Sequence, residues 1–316
     1  MKAENYFPCY TFALDPLKRE TLHFHRIKHC TFTKKQAENN VEEGTLCSGT
    51  IFHENWVMTA AHCCLYKFKV TMHFNDFHTG VDDLNELKVE RYGSSFTIHE
   101  FYHPDVGNDI CIIELPGDFH GSRAPCMLPE NAEKTAVEQL EEHHGAQCWV
   151  GGWGHTFYAG QSSNTARSVG LNLFSREYCL KHSFYQDSNL FALNEDAFCA
   201  GIPHNKETAT NSAGYHVTQK GADSCKGDSG GPLICDINDR ITFVGIVSKG
   251  YRCNAEGWPG IYTNVQAFRP WLDESKYDFL YRLSCTALHT EKILFDDFSI
   301  NENFRTGLYL VRMGRM

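Results

Sequence analysis

From Cys47 onward the chain alternates short β-branched and aromatic runs with Gly, Asn and Asp punctuation. The runs read GTIFHENWVMTA, FKVTMHF, ELKVERYGSSFTIHEF, DICIIEL, QCWVGGW, GPLICDI, RITFVGIVS and GIYTNV. Short runs of this composition, bounded by turn residues, predict strands. A long succession of them predicts an all-β barrel or sandwich. The period changes only near the end, in NVQAFRPWLDESKYDFLYRL, where Phe268, Trp271, Leu272 and Tyr277 recur at broadly helical spacing. Residues 1–40 are polar and unpatterned, as in a pro-region or N-terminal segment rather than a core. The expected organisation is therefore that segment, a globular domain over 41–283, and a C-terminal tail over 284–316 with no evident function.

Composition narrows the function classes. The chain has 316 residues, 42% of them hydrophobic, which is enough for a sizeable core. Its net charge of −10 is spread over mixed acids and bases, which argues against a nucleic-acid or membrane-surface partner. No apolar stretch approaches the roughly 18 residues of a membrane span. Fourteen cysteines point to an oxidising compartment, hence a secreted or extracellular protein. No C-x2-C pairing supports zinc, and buried free thiols are the other alternative. The opening MKAENYFPCYTFALDPLKRE lacks the charged and apolar regions of a signal peptide, so the expectation is a true N-terminus absent from this sequence or another export route. There is no N-x-S/T sequon.

The chemistry concentrates at Gly227–Pro232, which reads GDSGGP. Glycines on both sides of Ser229 allow a tight exposed turn. There the backbone N–H groups of Gly227 and Ser229 can converge on a developing oxyanion. A serine hydroxyl needs a base, and the base an orienting acid. His62 in TAAHC and Asp109 at the head of an apolar run supply both.

The order His62, Asp109, Ser229 resembles the chymotrypsin/trypsin family of serine endopeptidases, in which the Ser-His-Asp mechanism was worked out. Seven collinear segments carry the resemblance: CSGTIFHENWVMTAAHC, NDICIIEL, CWVGGWG, FCAG, DSCKGDSGGPLIC, VGIVSKG and PGIYTNV. They span about three quarters of the chain, from Cys47 to about Leu283. The resemblance implies two six-stranded antiparallel β-barrels with the active site between them and a C-terminal helix. It also implies a trypsin-like peptidase domain over 41–283. The expected reaction is peptide-bond hydrolysis after Arg or Lys through an acyl-enzyme, with protein substrates, possible protein inhibitors and no cofactor or metal. Calcium is a minor option, on Asp76 and Glu86. A serine-protease homologue serving as a binding module is the alternative, although such proteins usually lose a triad residue and this chain keeps all three.

The family positions assign the remaining residues. Asp223 falls at the floor of the specificity pocket, where a buried acid takes a cationic side chain as counter-charge. Gly250 and Gly260 fall on its walls, and Ser224 and Ser248 where polar groups line the pocket and bind substrate backbone. Lys249 stands where a tryptophan is usual, and Arg252 where a glycine is usual. The expected disulfides are Cys47–Cys63, Cys148–Cys235, Cys179–Cys199 and Cys225–Cys253. Cys111, inside ICIIEL, is expected to be a buried free thiol. Cys126 is expected to tether a propeptide through Cys9 or Cys30, while Cys64 and Cys285 have no assigned partner. Asp228 would pair with an α-amino group freed on zymogen activation. Arg26–Ile27 is the one candidate junction, short of the usual spacing to Cys47 and followed by Lys28-His29-Cys30 instead of glycines. An insert over 204–220 is expected beside the pocket.

Overall fold

A computed structural model describes residues 29–32, 47–53, 56–65, 70–74, 87–91, 96–114, 136–137, 148–187, 193–202, 223–237, 240–274 and 311–312. The runs predicted from pattern are strands. In the N-terminal half these are β1 (His29–Phe32), β2 (Cys47–His53), β3 (Trp56–Thr59), β4 (Val70–Phe74), β5 (Leu87–Arg91), β6 (Phe96–Ile98) and β7 (Cys111–Glu114). They form one antiparallel sheet in the order β4-β1-β2-β3-β7-β6, with β5 on β4. The two-residue β14 (Val311–Arg312) also pairs with β4. Strand pairing thus reaches into both stretches read from sequence as flanking segments, through β1 and β14.

The C-terminal half is a closed barrel of β8 (Cys148–Gly152), β9 (Arg167–Phe174), β10 (Ala197–Gly201), β11 (Pro232–Ile237), β12 (Arg240–Lys249) and β13 (Gly260–Asn264). Its order, β10-β13-β12-β11-β8-β9, is antiparallel throughout. Closure leaves no barrel edge to recruit another strand. Val150, Leu171, Phe198, Leu233, Val244 and Tyr262 fill the interior. The Cys148–Cys235 disulfide joins directly opposed residues of β8 and β11.

The two halves share a core. Ile51, Val57, Met58, Ile110 and Ile112 of the first pack with Phe243 and Ile246 of β12 and with Val265, Phe268 and Leu272. Full burial of such side chains stabilises by about 1.5–3 kcal/mol each. The last three residues lie on the predicted C-terminal helix, a 3-10 turn Val265–Phe268 running into an α-helix, Arg269–Glu274. Tyr277 lies outside the described residues. No helix among the described residues is long and apolar enough to cross a membrane.

One cysteine expectation is corrected. Cys111 is not a free thiol: it is bonded to Cys64. The apolar run that suggested an inert buried thiol does bury Cys111 completely, but it also sets it beside the helix that carries His62. The four expected disulfides are all present.

Candidate active site

His62 sits on α1 (Ala61–Cys64), a single turn that leaves β3 at Thr59. Asp109 lies in the loop before β7, just after Asn108, whose φ is 53°. The left-handed residue turns the chain so that the buried Asp109 carboxylate faces α1. Its Oδ1 accepts the His62 backbone N–H at 2.9 Å, and its Oδ2 lies 2.8 Å from His62 Nδ1. The imidazole keeps 29% side-chain exposure, so part of the ring stays open to solvent. Burial is the largest influence on Asp109 and pushes its carboxyl up. The charge and hydrogen bonds of His62, with the Ser248 hydroxyl, outweigh it and hold the group below its ordinary value.

Ser248 enters this corner by a β-bulge. The β12–β13 register passes from Val247↔Tyr262 to Lys249↔Ile261, leaving Ser248 unpaired. A bulge of this kind re-aims a side chain. Ser248 Oγ donates to Asp109 Oδ2 at 2.7 Å, and Thr263 Oγ1 donates to the Asp109 carbonyl at 3.1 Å. The sequence reading put Ser248 with the pocket-lining, substrate-binding positions and missed this contact.

Ser229 lies on the turn between Asp223 and β11, partly exposed between the buried Asp228 and Gly230. Its carbonyl accepts the Ser48 N–H at 2.6 Å, and Ser48 Oγ donates to the Gly227 carbonyl at 3.2 Å. These bonds lash the turn to β2, beside the Cys47–Cys63 disulfide. Gly230 has φ +80°, and a Cβ there would collide with Thr59 Oγ1 and the Ser48 carbonyl. The turn therefore packs directly on the strand that leads to His62. The N–H groups of Asp228, Gly230 and Gly231 are spent on Cys225, Val247 and Asp228 carbonyls. Among the described residues those of Gly227 and Ser229 meet no acceptor.

At the other end of this turn Asp223 Oδ2 accepts the Asn254 N–H at 2.8 Å, while its buried Oδ1 has no partner. Burial pushes this carboxyl up to about 7, against the Asn254 and Ser224 amides, with the Asp228 carboxylate adding to the rise. The glycines shape the space around it. A Cβ on Gly260 would stand 2.9 Å from Asp223 Oδ1, and one on Gly250 would meet Gly260 Cα at 3.9 Å. Ser224 Oγ is 3.1 Å from the Tyr262 hydroxyl, and Cys225–Cys253 ties the two loops together.

A sequence model of the family described as Trypsin matches residues 28–272. A trypsin of Phaedon cochleariae is 31% identical over 231 residues, covering 72% of this chain and 78% of that protein. The chain belongs to the trypsin family.

Lys249 and Arg252, the two cations read from sequence as departures from the family pattern, both lie among the described residues. Lys249, half-buried, donates from Nζ to the Pro104 carbonyl at 3.3 Å. Burial lowers its pKa, while the Asp109, Asp196 and Asp105 carboxylates oppose that. Arg252 is exposed in a left-handed conformation, φ 45°, with its guanidinium 5.1 Å from the Tyr251 ring centre and 5.7 Å from that of Tyr158. It lies over these rings rather than on Asp223.

Asp228 is buried and accepts the Gly154 N–H at 2.8 Å on Oδ1 and the Cys225 N–H at 2.9 Å on Oδ2. Burial pushes it up to about 6. Arg26 and Ile27 lie outside the described residues, as do Cys9, Cys126, Cys285, Asp76, Glu86 and the 204–220 insert. Among the described residues, Cys47, His62 and Cys63 form a cluster of metal-ligand types. Its two thiols are consumed in a disulfide.

Proposed function

We propose that this trypsin-family serine protease is a competent endopeptidase that cleaves after Arg or Lys. The observation that carries the reading is the two-ended turn Asp223–Gly230. One end packs on Ser48, Thr59 and Ala60, at the base of the turn that carries His62, and the other holds a buried carboxylate with an unpartnered oxygen.

Ser229 Oγ attacks the scissile carbonyl as His62 Nε2 takes its proton. The Gly227 and Ser229 amides stabilise the oxyanion. His62 then returns the proton to the leaving amine. Water, activated by the same imidazole, hydrolyses the acyl-enzyme. Asp109 keeps a proton on Nδ1, so that Nε2 is free to act as base. Asp223 receives the substrate cation between the bare walls at Gly250 and Gly260.

The zymogen reading belongs to the same proposal. The Asp228 carboxylate is satisfied by amides only, and an incoming α-amino group would stabilise its ionised form. The Arg26–Ile27 junction is the candidate source, and N-terminal sequencing of the active form checks it. Five disulfides support an oxidising, extracellular setting.

The direct test is a peptide-library profile with fluorophosphonate labelling. Cleavage after Arg and Lys, abolished with labelling by Ser229→Ala, is the expected result. Properly processed protein that neither cleaves nor labels would make the chain a binding homologue. A profile dominated by Phe, Leu or Ala before the cleaved bond would overturn the specificity alone.

A further inference from the structure

We propose that the Cys64–Cys111 disulfide is a positioning element of the active site, a covalent brace that keeps His62 in register with Asp109. The inference rests on the reading of these two residues as base and orienting acid. Cys64 and Cys111 each lie two residues beyond them, so bridge and hydrogen-bonded pair share the same sequence separation of 47.

The brace answers a local weakness. The β3–β7 ladder ends at Thr59↔Cys111, and past it the chain leaves the sheet for α1. A single helical turn has little stability of its own, because nucleation fixes several residues for one hydrogen bond. Here it also lacks a side-chain cap, since Ala60 occupies the N-cap. Yet its last residue returns to Cys111, the ladder partner of Thr59. The segment carrying His62 is therefore closed at both ends on one residue of β7, by backbone pairing at Thr59 and by sulfur at Cys64. Cys63 is bonded the opposite way, to Cys47 on β2. Consecutive cysteines thus suspend α1 between two strands.

On the other side Asp109 is fixed by Ser248 and Thr263, from the C-terminal barrel. Without the brace, the Thr59 pairing and the two base–acid hydrogen bonds would still hold this segment to β7, but the end of α1 beyond His62 would have no covalent tie to that strand. Misplacement by about 1 Å is enough to lower a rate on the order of 100-fold. Cys64 and Cys111 are 4% and 0% exposed, so the bond is shielded from solvent.

A positioning role and a purely stabilising one separate by experiment. The Cys64→Ala/Cys111→Val variant of the full chain is compared with Cys179→Ala/Cys199→Val, which removes a disulfide packed with Phe174, Tyr185 and Ile261 instead. Kinetics on an Arg peptide give kcat and KM, and proton NMR follows the low-field proton between His62 Nδ1 and Asp109. The brace predicts that the first variant, well below its melting temperature, loses about 10-fold or more in kcat with KM little changed. It also predicts a broadened or lost low-field resonance. The second variant lowers Tm and leaves both readouts near wild type. A folded first variant with wild-type kcat and resonance overturns the proposal. If the double variant does not fold, Cys64→Ala alone, which leaves the Cys111 thiol in place, is read by the same criteria. Wild-type protein without turnover sinks the catalytic reading, while the resonance comparison still decides the brace.

Discussion

At the His62–Asp109 corner each carboxylate oxygen of the acid has a partner, whereas at Asp223 one oxygen has none. Both groups are removed from water, and removal from water always raises a carboxyl. At Asp109 the imidazole, a backbone amide and a hydroxyl reverse that effect, and the group stays ionised. At Asp223 the donors are too few, and the carboxyl rises to about 7. The first corner is complete as it stands, with a disulfide on either side. The second is left incomplete, in a form that a cationic side chain would complete. Catalysis needs preorganisation, and specificity needs a cost that the right ligand alone removes.

The largest effect should come from unbalancing the finished corner. If Asp109 orients the base as proposed, Asp109→Asn replaces the acceptor that keeps the proton on Nδ1 and should lower kcat by about 10⁴-fold, the loss typical of the orienting acid of a Ser-His-Asp triad. Steady-state kinetics with KM near wild type is the check. A loss under about tenfold would mean that the bond at Nδ1 does not govern the reaction. Next comes the unfinished end. Truncating one partner of a buried charge pair costs about 2–5 kcal/mol, so Asp223→Ser should reduce kcat/KM for Arg substrates by roughly 30- to 4,000-fold. Substrates with an apolar residue before the cleaved bond should change far less. Equal losses on both would place Asp223 outside the pocket.

The finished corner was only half legible in the sequence. His62, Asp109 and Ser229 stand inside local motifs whose turns and strand ends can be read directly, and the strands follow from runs such as ICIIEL. Ser248 was not legible as a partner of Asp109, because a bulge between β12 and β13 redirects it and nothing local announces the register shift. The Cys64–Cys111 bond escaped for a related reason. Burial and pairing look alike in an apolar run, and only the alignment of α1 with β7 tells them apart. The signal was present in the second cysteine after His62 and the cysteine two residues after Asp109. At the incomplete end Asp223 and its glycines were legible by position. The stacking of Arg252 on Tyr158 was not, since it joins loops remote in sequence.

Proton linkage sharpens the contrast with a smaller effect. Benzamidine, an aromatic cation, should bind the ionised form of Asp223. Its affinity should therefore rise about tenfold per pH unit up to about pH 7 and level off above it. Calorimetry in buffers of different ionisation enthalpy should detect a released proton at pH 6, and affinity flat from pH 5 to 8 would show that Asp223 is already ionised when empty. The unliganded protein carries the complementary trend. Between about pH 4 and 7 folded Asp223 keeps a proton that the unfolded chain has released, and Asp228 does so up to about 6. The contribution of these two acids to the stability of the empty protein should fall as pH rises through that window. His99 and His155, held below their ordinary value by burial, act the other way near pH 6. The Tm of wild type relative to Asp223→Asn isolates the acid and should fall with pH. A wild-type-minus-Asp223→Asn difference that rises with pH over that range would contradict the assignment to Asp223.

The smallest effect concerns whether Arg252 belongs to the incomplete pocket at all. Its guanidinium rests over Tyr251 and Tyr158, an exposed contact worth about 0.5–1 kcal/mol. Its left-handed backbone, φ 45°, costs a residue with a Cβ about 1–2 kcal/mol. Arg252→Gly removes both, and the backbone term is the larger. The variant should melt slightly higher, with kcat/KM on Arg substrates within about twofold of wild type because the cation is already held away from Asp223. A gain of tenfold or more would mean that Arg252 competes with substrate for the unpartnered Asp223 oxygen. The pocket would then be closed in the resting enzyme by its own arginine, and the contrast drawn with the His62–Asp109 corner would fail.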